Sequence, residues 1–271
     1  MVARRDFLVV SRLDGLRSPH AASTGGKMNT LKMSFIVFAL LLPIFACAGS
    51  GADNNGERSS RAESKVAPET PAPLQAPGKD FVYNFDGDPV DKLPAKFHDA
   101  LTGQGATGQW VVKADPSAPS QPNVLAQLST DKTDYRFPLA IADEGSFKDL
   151  ALSVKFKAVS GAVDRAAGMV FRLKDANNYY VVRANALENN YRLYHVVSGR
   201  RVQFAGANVK VAAGEWHELR VECVGDHITC YFDKEKKIDA TDETFKEAGK
   251  VGLWTKADSV TYFDDLRVSA K

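Results

Sequence analysis

The residues whose types and spacing suit chemistry gather in one predicted hairpin, YYVVRANALENNYRLYHVV, at residues 179–197. Strand alternation sends Tyr179, Val181, Arg183 and Asn185 to one face and Tyr180, Val182 and Ala184 to the other. With Asn189-Asn190 as the turn, Asn185 is expected opposite Tyr194 and Arg183 opposite Val196. Arg183, Asn185, Arg192 and Tyr194 then share the more polar face. Arg172 on the preceding strand, and Trp254 with Lys256 near the C-terminus, can line the same surface. Such a set suits a saccharide: a ring stacks on the apolar face of a pyranose while amide and guanidinium groups bond hydroxyls directionally. Several arginines would also favour a uronate or another anionic glycan. The plainer reading is a satisfied Arg/Asn network with Trp254 as ordinary core.

Two smaller sets invite other chemistry. Asp86, Asp88, Asp264 and Asp265 would converge if the first and last strands are neighbours, and clustered carboxylate oxygens suit calcium. Otherwise Asp86-Gly87-Asp88 is a turn and Asp264-Asp265 a solvated strand end, and no cofactor is required. Cys223 and Cys230 flank a second hairpin on one face by parity, with Cys223 opposite Ile228 and Cys230 diagonal to it. They are either a disulfide, which an exported chain would favour, or two buried thiols. The histidines, among them His98, His195, His217 and His227, form no motif, and no nucleophile elbow, phosphate loop or dinucleotide fingerprint occurs.

The elements that must position these groups are short and extended. From Phe81 onward, apolar and polar residues alternate in about thirteen runs separated by turn signals, with almost no sustained helical period. The exception is Asp242–Ala248, DETFKEA, which reads as one helical turn entered through a capping Asp and closed by Gly249. Gly225-Asp226 and Lys174–Asn178 supply two further hairpin turns. The expected fold is all-β, a two-sheet antiparallel jelly-roll sandwich over residues 80–271.

The N-terminal part has another character. Met33–Ala46 is the only long apolar run and is too short to cross a bilayer as a helix, which takes roughly 20 residues. Behind Lys27 and Lys32, and ending in Ile44-Phe45-Ala46-Cys47, it reads as a signal-peptide core. The tetrapeptide resembles a lipobox, which implies cleavage after residue 46 and acylation of Cys47. Residues 1–46 are thus read as an upstream extension and leader, and 47–79, rich in Gly, Ser, Asn and Pro, as a lipidated cysteine and flexible linker. The expected location is a membrane surface reached through a lipid anchor, the outer membrane if the cell is Gram-negative. With 35 basic against 33 acidic residues the chain lacks the electropositive footprint of a nucleic-acid binder.

The segment GMVFRLKDANNYYVVRANALENNYRLYHVVSGRR, and later GEWHELRVECVGDHITCYFD and GLWTKADSVTYFDDLRV, resembles the concanavalin A-like lectin/glucanase superfamily. More narrowly it resembles bacterial laminin-G-like, family 16 glycoside hydrolase-like domains related to 3-keto-disaccharide hydrolases. That resemblance implies a curved sandwich whose concave face or rim meets carbohydrate. The glucanases of this superfamily carry a Glu-x-Asp strand because two close carboxylates act as nucleophile and acid. No glutamate of this chain is followed two residues later by aspartate. The expected function is therefore a carbohydrate-binding, non-catalytic envelope lipoprotein. The alternatives are a glycosidase-like enzyme on modified sugars, using Arg183, Glu188 or Asp164 with a metal, and an adhesion module contacting protein.

Overall fold

A computed structural model describes residues 80–271; Cys47, the leader over 1–46 and the linker over 47–79 lie outside the described residues. Fifteen strands and no helix are found among them. In chain order they are β1 (Phe81–Tyr83), β2 (Phe97–Gly103), β3 (Trp110–Ala114), β4 (Asn123–Gln127), β5 (Arg136–Ala142), β6 (Leu150–Ser160), β7 (Ala166–Asp175) and β8 (Asn178–Asn185). The rest are β9 (Asn190–Val197), β10 (Arg200–Asn208), β11 (Trp216–Val224), β12 (His227–Phe232), β13 (Glu235–Thr241), β14 (Lys250–Trp254) and β15 (Val260–Ala270).

Every ladder is antiparallel, and the strands form two sheets. The first has the order β13-β12-β11-β6-β15-β4-β3, with β1 also paired to β15, and the second β10-β9-β8-β7-β14-β5-β2. Alternation explains the main core. Leu150, Leu152, Val154 and Phe156 of β6 and Leu219, Val221 and Cys223 of β11 point inward to meet Met169, Phe171, Tyr180, Val182 and Leu193 of the second sheet. This is the expected two-sheet sandwich.

The second sheet departs from simple alternation. Its strands β5, β7 and β8 are buried along nearly their whole length, as in sheets covered on both faces. A second apolar cluster, built on Phe137, Leu139, Val170, Tyr179, Val181, Tyr194, Val196 and Trp254, occupies the face turned away from the main core. The chain itself covers that face. Thr102 of β2 bonds the Tyr179 hydroxyl at 2.7 Å and also donates to the Ala176 carbonyl. From the start of β5, the Tyr135 hydroxyl donates to the Gly199 carbonyl at 2.8 Å and accepts from the Arg201 amide at 3.1 Å.

Three local expectations change. Asp242–Ala248 forms no helical turn: the Asp242 carboxylate accepts from the Thr244 amide at 2.8 Å and from the Tyr180 hydroxyl at 2.6 Å. An Asx turn tied to the core thus replaces the helical path. The β8–β9 turn spans residues 186–189, so Asn185 pairs with Asn190 and Arg183 with Arg192. Asn185 sets that turn by accepting from the amides of Leu187 and Glu188, and Asn189 takes the left-handed conformation (φ 51°). Finally, β2 and β13 are strands that the pattern does not announce, for both are sheet edges with few buried residues, Phe97 and Thr102 in β2 and Ile238 in β13.

Candidate functional site

Arg183 (β8), Arg192 and Tyr194 (β9) and Trp254 (β14) all lie on the outward face of the second sheet, and Asn185 ends the same row. The hairpin register differs from the expected one by an even step, so the same side chains still share that face. Trp254 is fully buried and stacks on Phe137 with ring centroids 5.3 Å apart, so no sugar reaches its indole. Arg192 folds toward the sheet edge and donates to the Ala207 carbonyl at 2.6 Å and to Asn208 Oδ1 at 2.8 Å.

Arg172 does not join this group. It has a left-handed backbone (φ 45°), beside the irregularity that interrupts the β7–β8 pairing. Its guanidinium donates to the carbonyls of Lys148 (2.7 Å), Phe245 (2.8 Å) and Gly225 (2.7 Å) and pairs with Asp149 at 3.2 Å. It is a fully partnered bolt between loops, beside a cavity of about 240 Å³.

Two ionic clusters meet at the mouth of the outward face. In one, Lys256 Nζ lies 2.6 Å from Asp134 and 3.0 Å from Asp164, and Asn185 donates to the other Asp164 oxygen at 2.9 Å. In the other, Arg183 donates to Asn190 Oδ1 (2.8 Å), Glu188 (3.0 Å) and the Tyr194 hydroxyl (3.1 Å). Burial raises the Asp164 pKa in spite of Lys256. Burial also pushes Glu188 up, but the hydrogen bonds from Asn190 and Arg183 and the Arg183 charge outweigh it and lower its pKa.

Asp164 is placed by its loop. Asp258 accepts from the amides of Ala162 (2.8 Å), Val163 and Asp164 (both 3.0 Å), which curls residues 161–165 around one carboxylate. Arg136, wholly buried, performs a similar task for Asp134 and Tyr135. It donates to the carbonyls of Ala106 (2.6 Å), Thr107 (2.8 Å) and Ala257 (2.6 Å) and to Ser129 Oγ (2.9 Å).

The pattern alone does not single out Arg201 or Tyr135. Arg201 of β10 lies over three rings, 4.5 Å from the Tyr194 centroid, 4.7 Å from Phe137 and 5.5 Å from Trp254. Its side chain has neither a hydrogen bond nor an ion pair with the described chain. Its parity with Val196 and Tyr194 across the tight Ser198-Gly199 turn is the signal that could have found it. Tyr135 is 43 % exposed and lines a cavity of about 390 Å³ with Gln104, Asn177 and Arg200.

The proposed calcium set is not assembled: among the described residues no three His, Cys, Asp or Glu side chains group as metal ligands. Asp86 serves the Asn123 amide at 3.1 Å, Asp264 holds Ser120 Oγ at 2.9 Å, and Asp265 pairs with Arg267 at 2.8 Å. The Asp88 amide bonds Phe85 O at 3.2 Å, and its carboxylate feels the Lys96 charge. Cys223 and Cys230 are free, buried thiols; Cys223 faces Ile228 and Cys230 faces Val221, so the two are diagonal.

The 3-keto-alpha-glucoside-1,2-lyase-like domain matches residues 99–269. The chain belongs to this lyase-like domain family. The sandwich is also similar to cellulose induced protein, Cip1, at 10% identity and a TM-score of 0.51, over 69% of this chain and 96% of that one. The carbohydrate binding module CBM66 from Bacillus subtilis aligns at 20% identity and a TM-score of 0.48, over 62% of this chain and 94% of its own. Bacillus licheniformis beta-glucanase aligns at 13% identity and a TM-score of 0.48, over 72% and 99%. At 10% identity the Cip1 likeness is one of fold. No curated protein sequence matches the chain. A member of the lyase-like domain family, the chain folds as a two-sheet antiparallel β-sandwich, and the relation to 3-keto-disaccharide hydrolases read in its strands agrees with the family match.

Proposed function

We propose that this domain binds a saccharide at the mouth of the outward face of its second sheet, and that the protein is exported and held at a membrane surface by acylated Cys47. The observation that carries the binding reading is the setting of Tyr135. Its ring is exposed and its hydroxyl is tied to Gly199 and Arg201, so the stacking surface is ordered before a ligand arrives. Around it stand Gln104, Asn177 and Arg200, whose side chains make no hydrogen bond within the described chain. A fixed ring with uncommitted amide and guanidinium groups suits a pyranose, which offers an apolar face and a rim of hydroxyls. A glycan screen of the full-length protein tests this. Wild type should retain at least one saccharide and Tyr135→Ala should weaken it tenfold or more; a screen with no binder removes the reading.

A second reading, elimination from a 3-keto-glucoside, is favoured by the family and by Asp164. The ketone makes the neighbouring C2 proton acidic; a base takes it, a C1–C2 double bond forms as the C1–O bond breaks, and the glycosidic oxygen leaves as an alcohol after taking up a proton from water or from the protonated base. Asp164, held at the mouth by Lys256 and Asn185 and with its pKa raised by burial, would be that base. Alcohol release from a 3-keto-glucoside, abolished in Asp164→Asn, would support it; no release by wild type would discard it.

A further inference from the structure

Among the described residues, Arg201 and the exposed Arg200 are the charged side chains of the mouth left without a counter-ion, and of the two only Arg201 is drawn into the face, over the rings of Tyr194, Phe137 and Trp254. Lys256 takes both Asp134 and Asp164, and Arg183 takes Glu188. Among the described residues no carboxylate comes within ion-pair distance of Arg201, and its buried Nη1 has no hydrogen-bond partner. Arg183, itself 4 % exposed, keeps a buried Nε that is likewise unpartnered. The two guanidinium groups lie against one phenol ring, 4.5 Å (Arg201) and 5.7 Å (Arg183) from the Tyr194 centroid. Burial and then the Arg183 charge depress the Arg201 pKa, and an arginine in such surroundings still keeps its proton.

Polar atoms shut away from water without a partner are costly, and a desolvated charge more so. The rings beneath Arg201 offset part of that cost through cation–π attraction but satisfy none of its N–H groups. A neutral hydroxyl would accept one N–H. A carboxylate supplies two coplanar acceptors and the missing charge, matching the guanidinium fork.

We infer that the saccharide carries a carboxylate, as a uronate does, and that Arg201 binds that group with Arg183 beside it. The inference rests on the saccharide reading and names its ligand class. It places the carboxylate beside the Arg201 guanidinium, with the buried Tyr194 ring beneath that group, and the neighbouring sugar unit on Tyr135. Arg200, exposed and unpaired at the rim of the same cavity, adds positive potential for an approaching anion.

Calorimetric titration of the full-length protein with galacturonate and glucuronate oligomers, each beside its carboxyl-reduced counterpart of equal length and linkage, tests it. At least one acidic oligomer should bind roughly tenfold or more tighter than its reduced partner, a gap that shrinks as salt rises. Arg201→Gln should abolish the gap. Arg201→Lys, which keeps charge and stem but loses the fork, should retain only part of it, and serves as the folded comparison if the glutamine variant melts early. Equal binding of acidic and reduced oligomers overturns the carboxylate assignment and leaves the saccharide reading standing. Binding of neither, together with a glycan screen that finds no other binder, overturns both.

Discussion

The guanidinium of Arg201 lies 5.5 Å above the centroid of the Trp254 ring, and that indole is wholly buried beneath it. Trp254 is thus a structural floor, and its loss should register in stability first. Trp254→Ala should cost about 3 to 5 kcal/mol of unfolding free energy, read by denaturant titration. Tyr135→Ala, at a half-exposed ring, should cost about 1 kcal/mol or less and act on affinity instead. If both variants lose affinity only in step with stability, Tyr135 is not a stacking surface.

Arg136 should be the most sensitive polar residue near the mouth. Arg136→Met fills much of the same space but leaves the carbonyls of Ala106, Thr107 and Ala257 without their donor. The Ala257 carbonyl is buried and costs about 1 to 3 kcal/mol when left without a donor, whereas Ala106 and Thr107 are exposed and can turn to water, so a loss of about 1 to 3 kcal/mol is expected. Weaker saccharide binding should follow, because the loops so tied carry Asp134, Tyr135 and Lys256. Retention of full stability in the methionine variant would mean that water replaces the guanidinium.

Much of this site follows from local rules. Period-two alternation alone places Arg183, Asn185 and Tyr194 on one face, and an error of two residues in the turn leaves that grouping intact because parity survives an even shift. What alternation cannot convey is that the face is apolar beneath its polar rim. Trp254 and Phe137 meet only through β14 and β5, far apart in sequence, and the cover comes from Thr102, Tyr135 and Arg201. Arg172 illustrates the limit: its parity is right, but its positive φ and the β7 irregularity turn it toward another loop. β13 escaped notice because Ile238 is its only buried residue, too little for a periodic signal.

Acid should loosen the mouth before it unfolds the sandwich. Burial pushes Asp258 up, but the amides of Ala162, Asp164 and Val163 more than compensate, and its pKa lies below the ordinary 3.8. Asp131, bonded by the amides of Ala106 and Thr133, falls to about 2. A carboxyl with a depressed folded pKa contributes stability that is complete above its unfolded value and is lost as pH falls through the folded one. The window therefore runs from about pH 4 downward. Asp164 has the opposite sign, since its raised pKa favours the neutral form in the folded chain. Asp258→Asn should cost about 1 to 3 kcal/mol at pH 7, and the gap from wild type should narrow below pH 4. A gap independent of pH would show that the amides need only an acceptor and no charge.

In a chain proposed to be exported, the state of Cys223 and Cys230 is a direct test of packing. Both thiols are free and fully buried between the sheets, and they stand diagonally across the β11–β12 ladder. Burial raises the Cys223 pKa to about 11 and shifts Cys230 upward as well, so almost no thiolate is present at neutral pH. The thiolate is the attacking species, and reaction with iodoacetamide in the native protein at pH 8 should therefore be negligible. Both cysteines should alkylate once denaturant is added, each giving one carbamidomethyl adduct by mass spectrometry. A native protein that stays unlabelled even after unfolding, and gains label only with a reductant, would instead contain a disulfide between the two, and the hairpin would have to shift locally to bring the sulfurs together.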